Sequence, residues 1–221
     1  MEEYLSQLQK NPLFRGVSEE NVKKLYNCIA AHERMVEKDS FVFRAGDEAQ
    51  RIYLNLTGNM HIVDEDFWGN RSIIETMSPI TLFGEAYNLS SSEKYLVSVI
   101  AAEDSILLEI DPERLFEICP NGCACHTEVV KNTLFILSEK IVRLTRKLGH
   151  IIQRTTREKL LSYLSQCARQ AQCNSFYIPY TRQQLADYLC VDRSALSHEL
   201  SKMYDAGIVE YRKNHFELLE K

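Results

Sequence analysis

The segment Tyr180-Thr-Arg-Gln-Gln-Leu-Ala-Asp-Tyr-Leu-Cys-Val-Asp-Arg-Ser-Ala-Leu-Ser-His-Glu-Leu-Ser-Lys-Met-Tyr-Asp-Ala-Gly207 admits few local structures. Thr181 is an N-cap residue, and Gln184 completes a capping box behind it. Leu185, Tyr188 and Leu189 then repeat at i, i+3, i+4, the apolar stripe of a short helix. Cys190-Val191-Asp192 has the length of a helix-turn-helix corner. Asp192 is placed to cap a second helix, with Leu196, Leu200, Met203 and Tyr204 inward and Arg193, Ser194, Ser197, His198, Ser201 and Lys202 outward. Gly207 is placed to end it. The runs Ile208–Arg212 and Phe216–Leu219 flank Lys213-Asn214 and predict a β-hairpin wing. Any amphipathic helix pair has an apolar inside and a polar outside. This pair adds a short corner, two caps and an outer face of short donors with one acid, Glu199, which together predict DNA binding.

At these residues the chain resembles the Crp/Fnr family of bacterial transcription regulators. Thr181-Arg-Gln-Gln-Leu-Ala186, Asp192-Arg-Ser-Ala-Leu-Ser197 and the Gly207-Ile-Val hairpin follow its pattern, and the resemblance extends over nearly the whole chain. It implies base reading from Arg193, Ser194 and His198, with Ser197 on the same face. Arg193 keeps the fork that pairs with guanine, but Ser194 cannot accept from cytosine as a carboxylate does, and His198 offers one donor. The implied half-site therefore differs from those of the best-known members. Thr181, Arg182 and Lys202 are expected on phosphates, which position the protein without specifying sequence. Double-stranded DNA with a pseudo-palindromic operator, and RNA polymerase, are the partners the resemblance implies.

The net charge of −5 suits a DNA binder only once it is divided. Residues 1–149 hold 16 Lys+Arg against 23 Asp+Glu, a balance of −7, whereas 150–221 hold 10 against 8, a balance of +2. The acid sits in the first part, so a basic surface on the second remains available to phosphates. No apolar run approaches the ~20 residues of a membrane span, and Met1-Glu2-Glu3 does not open a signal peptide. Seven cysteines without regular spacing point to reduced thiols and a cytoplasmic location. An enzyme would need a catalytic constellation, and no phosphate loop, His-Glu-x-x-His or nucleophile elbow occurs. A protein-binding adaptor would leave the capped helix pair without a role.

Short runs at Phe41–Phe43, Ile52–Leu56, His61–Val63 and Ser72–Ile74, punctuated by Gly46-Asp47, Thr57-Gly58-Asn59 and Trp68-Gly69-Asn70, predict a β-barrel or jelly roll behind a helical lead, Tyr4 to Cys28. Leu96 to Ile110 continues the pattern. The resemblance makes this a cyclic-nucleotide-binding type of fold. Its effector pocket would involve Gly84 and Glu85 of the turn Leu82-Phe-Gly-Glu-Ala86, Tyr95 and Leu96 in place of the family's phosphate-binding Arg-Ser pair, and Leu144 and Thr145 in place of its adenine-contacting polar pair. A buried phosphate without a cation carries a desolvation penalty of several kcal/mol. Cyclic AMP is therefore not the expected ligand, although Lys94 would compensate if the register shifted by one. The effector is left as an unidentified small molecule or a redox state.

Val130, Leu134, Leu137, Ile141, Leu144, Leu148 and Ile151 are spaced 4, 3, 4, 3, 4, 3, a heptad seam that predicts a parallel homodimer. Part of this stripe is also expected to pack on the chain's own β-domain. A two-fold pair presents two recognition helices about one DNA turn apart. Gly149 and Thr155-Thr156 mark the expected hinge. Cys119, Cys123, Cys125 and His126 fall within eight residues just before the helix, at a spacing foreign to zinc ribbons and ferredoxin loops. They read as reduced, packed thiols, with a redox or metal sensor as the alternative and no metal assigned.

The expected architecture is thus α+β: an N-terminal β-barrel or jelly-roll sensing domain over 1–125, a dimerisation helix and hinge over 126–154, and a winged helix-turn-helix over 155–221.

Overall fold

A computed structural model describes residues 4–68, 71–90, 92–116 and 124–219. The chain divides into two compact units, Met1–Ser138 and Glu139–Lys221.

The first unit opens with helices α1 (Leu5–Lys10) and α2 (Glu19–Cys28), the latter capped by Ser18, whose hydroxyl accepts from the Asn21 amide. Eight strands follow: β1 (His32–Val36), β2 (Phe41–Phe43), β3 (Ile52–Thr57), β4 (Met60–Glu65), β5 (Arg71–Met77), β6 (Leu82–Phe83), β7 (Ser98–Ala101) and β8 (Ser105–Ile110), with the one-turn helix α3 (Glu85–Asn88) after β6. They form two four-stranded antiparallel sheets, ordered β1-β8-β3-β6 and β2-β7-β4-β5. The jelly-roll form of the expectation is the one observed. The short helix α4 (Pro112–Phe116) closes the unit.

Strand β3 shows why the sequence chose two cores. Its residues Ile52 to Leu56 are buried on both faces. Ile52, Leu54 and Leu56 point to a core shared with Leu13 and Leu25 of the helical lead, while Tyr53 points between the sheets to Phe43, Met60, Phe83 and Leu107. At the β3–β4 turn Gly58 has φ +76°, and a Cβ there would lie 2.0 Å from the Ser105 hydroxyl, so only glycine closes this corner.

The long helix α5 spans Ala124–Ile151 and passes through Gly149 without breaking. It ends at Ile151, and the segment before Thr155 falls within the 126–154 expected for helix and hinge together. Thr155 then caps α6 (Thr156–Ala171) in a reciprocal box with Glu158. Strand β9 (Ser175–Tyr177), helices α7 (Arg182–Leu189) and α8 (Arg193–Asp205), and strands β10 (Val209–Arg212) and β11 (His215–Leu218) complete the second unit. β9, which the sequence pattern did not suggest, joins the hairpin as a third antiparallel strand, giving the order β10-β11-β9. Leu160, Leu164, Leu185, Leu189, Leu196 and Leu200 build the core beneath.

Candidate nucleic-acid interface

Local chemistry sets the two helices of the corner. The Thr181 hydroxyl accepts from the Gln184 amide at 3.3 Å, and the Gln184 carboxamide oxygen accepts from the Thr181 amide at 2.9 Å. α7 ends where Cys190 adopts φ +52°, in the left-handed region, and its amide returns to the carbonyls of Ala186 and Asp187. The Lys159 ammonium donates to the carbonyls of Leu189 and Cys190 at 3.1 and 3.3 Å, neutralising the C-terminal end of the helix. Asp192 occupies the N-cap position of α8 in backbone conformation, but its side chain makes no capping bond, which corrects the expectation. Gly207, at φ +64°, turns the chain out of α8 as expected.

The faces divide largely as the periodicity predicts. Leu196, Leu200 and Met203 are fully buried. Arg193, Ser194, His198, Ser201 and Lys202 are exposed, and Ser197 is half-buried. Tyr204 is the exception. It is 54% exposed, because it sits in the last turn of α8 and packs edge-on against Tyr211 of the wing, 6.0 Å away, instead of entering the core. Of the two acids of this helix, Glu199 pairs with Arg157 at 3.5 Å, so its charge is compensated from α6, and Asp205 is the last helical residue. Thr181 is exposed, but Arg182 is not a free phosphate ligand. Its guanidinium lies over the rings of Tyr211 and Phe216 at 5.0 and 5.2 Å and donates to the Lys213 carbonyl at 3.2 Å. Burial there disfavours its charged form.

The expected effector residues Gly84, Glu85, Tyr95 and Leu96 lie in the first unit, and Leu144 and Thr145 in the second. Gly84 has φ +82°, and a Cβ would lie 3.1 Å from the Arg51 carbonyl. Glu85 is buried beside it. Tyr95 is also buried, stacked on Phe43 at 3.7 Å between centroids, with its hydroxyl donating to the Arg51 carbonyl at 3.0 Å. These rings occupy the space between the sheets. Leu96 is 72% exposed and points away, because the chain is not yet a strand there and β7 begins only at Ser98. Lys94 is exposed. Leu144 and Thr145 lie on α5 in the second unit, both exposed.

On α5 the residues buried towards the N-terminal core are His126, Val129 and Thr133, off the heptad register. Leu134, Ile141, Leu144 and Leu148 of the seam are 57%, 62%, 60% and 55% exposed, while Val130, Leu137 and Ile151 are half-buried. Cys119 and Cys123 lie outside the described residues. Cys125 is a half-buried free thiol packed on the first core, and the His126 ring N–H donates from Nε2 to the Leu115 carbonyl at 2.7 Å, tying the start of α5 to α4. Among the described residues no group of three or more His, Cys, Asp or Glu is placed to hold a metal.

Residues 33–121 match the model of the cyclic nucleotide-binding domain, and residues 158–221 match that of the Crp-like helix-turn-helix domain. The chain is similar to the cyclic AMP receptor protein of Thermus thermophilus, 22% identical over 213 residues covering 96% of this chain and 94% of that one. Among solved structures it is similar to the Thermus thermophilus catabolite activator protein, with a TM-score of 0.56 and 22% identity over 95% of this chain and 94% of that one. It is also similar to the c-di-GMP-responsive global regulator CLP of Xanthomonas campestris, with a TM-score of 0.56 and 19% identity over 90% of this chain and 100% of that one.

Proposed function

Because the chain belongs to the Crp/Fnr family of transcription regulators, we propose that it is a cytoplasmic homodimer that reads a pseudo-palindromic operator and meets RNA polymerase there. The exposed face of α8 carries this reading: a guanidinium, an imidazole, an ammonium and hydroxyls, with Glu199 paired to Arg157 and Asp205 only at the far C-terminal end. Arg193 and His198 address bases, with Ser194 and Ser197 between them, and Lys202 and Thr181 address phosphates. Arg182 contributes by shaping the wing. The exposed seam of α5 pairs the protomers.

The signal is a small molecule received in the N-terminal domain and relayed along α5. Cyclic AMP, the ligand in the name of the Thermus relative, is not the effector of this reading, since Tyr95 and Phe43 fill the place between the sheets. A depression of about 650 Å³ lined by Arg51, Tyr87, Asn88 and Asp111 opens beside the Gly84 turn and supports a different occupant.

Selection of DNA sites from a random library tests the reading. Arg193→Ala is expected to relax preference at one position of each half-site and to cost about 1–3 kcal/mol per contact, whereas Lys202→Ala weakens all sequences alike and lowers the salt dependence. Equal, sequence-independent losses from both would assign the recognition helix wrongly.

A further inference from the structure

On α5, Arg143, Arg146 and His150 follow at spacings of three and four, on the face turned away from Leu144 and Leu148. A second copy lying on the seam leaves this face uncovered. His150 is buried there, 5.7 Å from the Tyr163 ring and 6.2 Å from that of Tyr188, with Nδ1 2.8 Å from the Ser162 hydroxyl. Nearby opens a cavity of about 410 Å³ whose lining lies wholly within the Glu139–Lys221 unit. That size is within the range of small-molecule sites.

The lining has a definite chemistry. Tyr163, Tyr180 and Tyr188 contribute an aromatic wall, with centroids 5.1 Å apart for Tyr180 and Tyr188 and 5.5 Å for Tyr163 and Tyr188. Arg143 and Arg146 supply two cations, and Gln166 and Gln170 supply amides. No Asp or Glu is among the lining residues. Both guanidiniums favour ionisation of the Tyr188 hydroxyl, but burial outweighs them and keeps it a protonated donor at neutral pH. Guanidinium forks match a carboxylate, and tyrosine faces match a flat ring.

We propose that this cavity is a ligand site for a small aromatic carboxylate, its anionic group held by Arg143 and Arg146 and its ring laid on Tyr163 and Tyr188. Such a ligand bridges α5, α6 and α7, so it ties the end of the long helix to the first helix of the DNA-binding corner. Binding itself does not depend on the reading of DNA recognition. Only its consequence for operator affinity does.

Calorimetry on the full chain without DNA tests the site, with benzoate, 4-hydroxybenzoate and indole-3-acetate as ligands, benzamide as the neutral counterpart and inorganic phosphate as the ringless anion. At least one acid is expected to bind once per chain, about tenfold or more tighter than benzamide or phosphate. Arg146→Gln, at an exposed position, and Gln170→Glu, which sets a carboxylate at the rim, are each expected to weaken it about tenfold while leaving the melting temperature unchanged. Binding by none of the acids, equal binding of benzoate and benzamide, phosphate as tight as the acids, or an affinity unmoved by both substitutions overturns the proposal. A gel shift run separately reports on DNA binding, so the two readings fail independently.

Discussion

Replacing Leu144 with Ala measures what the exposed seam of α5 contributes to dimerisation. Complete burial of a Leu or Ile side chain contributes about 1.5–3 kcal/mol. Leu134, Ile141, Leu144 and Leu148 are between 55% and 62% exposed in the single chain. Covering each one therefore returns about 1–1.5 kcal/mol, or about 8–12 kcal/mol over both protomers. Association costs roughly 4–15 kcal/mol in lost freedom, so single side chains decide the balance. Leu144→Ala acts twice in a two-fold pair and is expected to cost about 2 kcal/mol, a rise in dimer Kd of about thirtyfold. Sedimentation equilibrium over a concentration series reads this directly. Val129→Ala is the control, because Val129 is fully buried in the N-terminal core: it lowers the melting temperature and leaves the dimer Kd alone. An unchanged Kd for Leu144→Ala, or an equal loss from Val129→Ala, refutes the assignment of the seam to a second copy.

Three further outcomes are expected. Arg182→Ala removes the cation from Tyr211 and Phe216 and the bond to the Lys213 carbonyl, so thermal unfolding of the C-terminal unit shifts down even where DNA is absent. Burial holds His150 below the ordinary value of 6.5, with Arg169 adding and Gln166 opposing. The unfolded chain then takes up the proton first as pH falls, so stability is full above about 6.5 and declines below it; denaturant titrations of His150→Asn should lose that part of the slope. Calorimetry with millimolar cyclic AMP should show no binding to the unmodified chain, and a micromolar affinity would mean that the Tyr95 ring leaves its stack on Phe43.

The helix-turn-helix was legible because its signals are local: a hydroxyl three residues ahead of its amide, leucines at helical spacing, a glycine where φ turns positive. What escaped depended on distant residues. β9 is a strand only because Phe176 pairs with Phe216, forty residues on, and nothing within Ser175–Tyr177 announces it. The compensation of Glu199 by Arg157, and the capture of Arg182 by the wing, arise the same way. Tyr204 obeyed the period and still faced outward, since the helix ends one residue later. Tyr95 and Leu96 stand together by resemblance to an Arg-Ser pair, but the backbone is irregular until Ser98, and the Tyr95 ring is buried while the Leu96 side chain is exposed.

The Gly84-Glu85 turn shows how one motif can carry two meanings. The resemblance reads this turn through a ligand, yet the glycine has a packing reason that needs none. A Cβ at Gly84 would press on the Arg51 carbonyl and, at 3.2 Å, on the Tyr53 ring. Asn88 then fastens the turn from below, its amide donating at 2.9 Å to the carbonyls of both Arg51 and Gly84. The same Arg51 carbonyl receives the Tyr95 hydroxyl. Turn, strand β3 and the stacked rings are therefore one hydrogen-bonded unit, and opening space for a nucleotide would break the Tyr95 bond and its stacking together. The residue that separates a ligand turn from a structural one is thus Tyr95, eleven positions beyond the glycine. There a large buried aromatic bonds to the same carbonyl that Asn88 holds and stacks on Phe43.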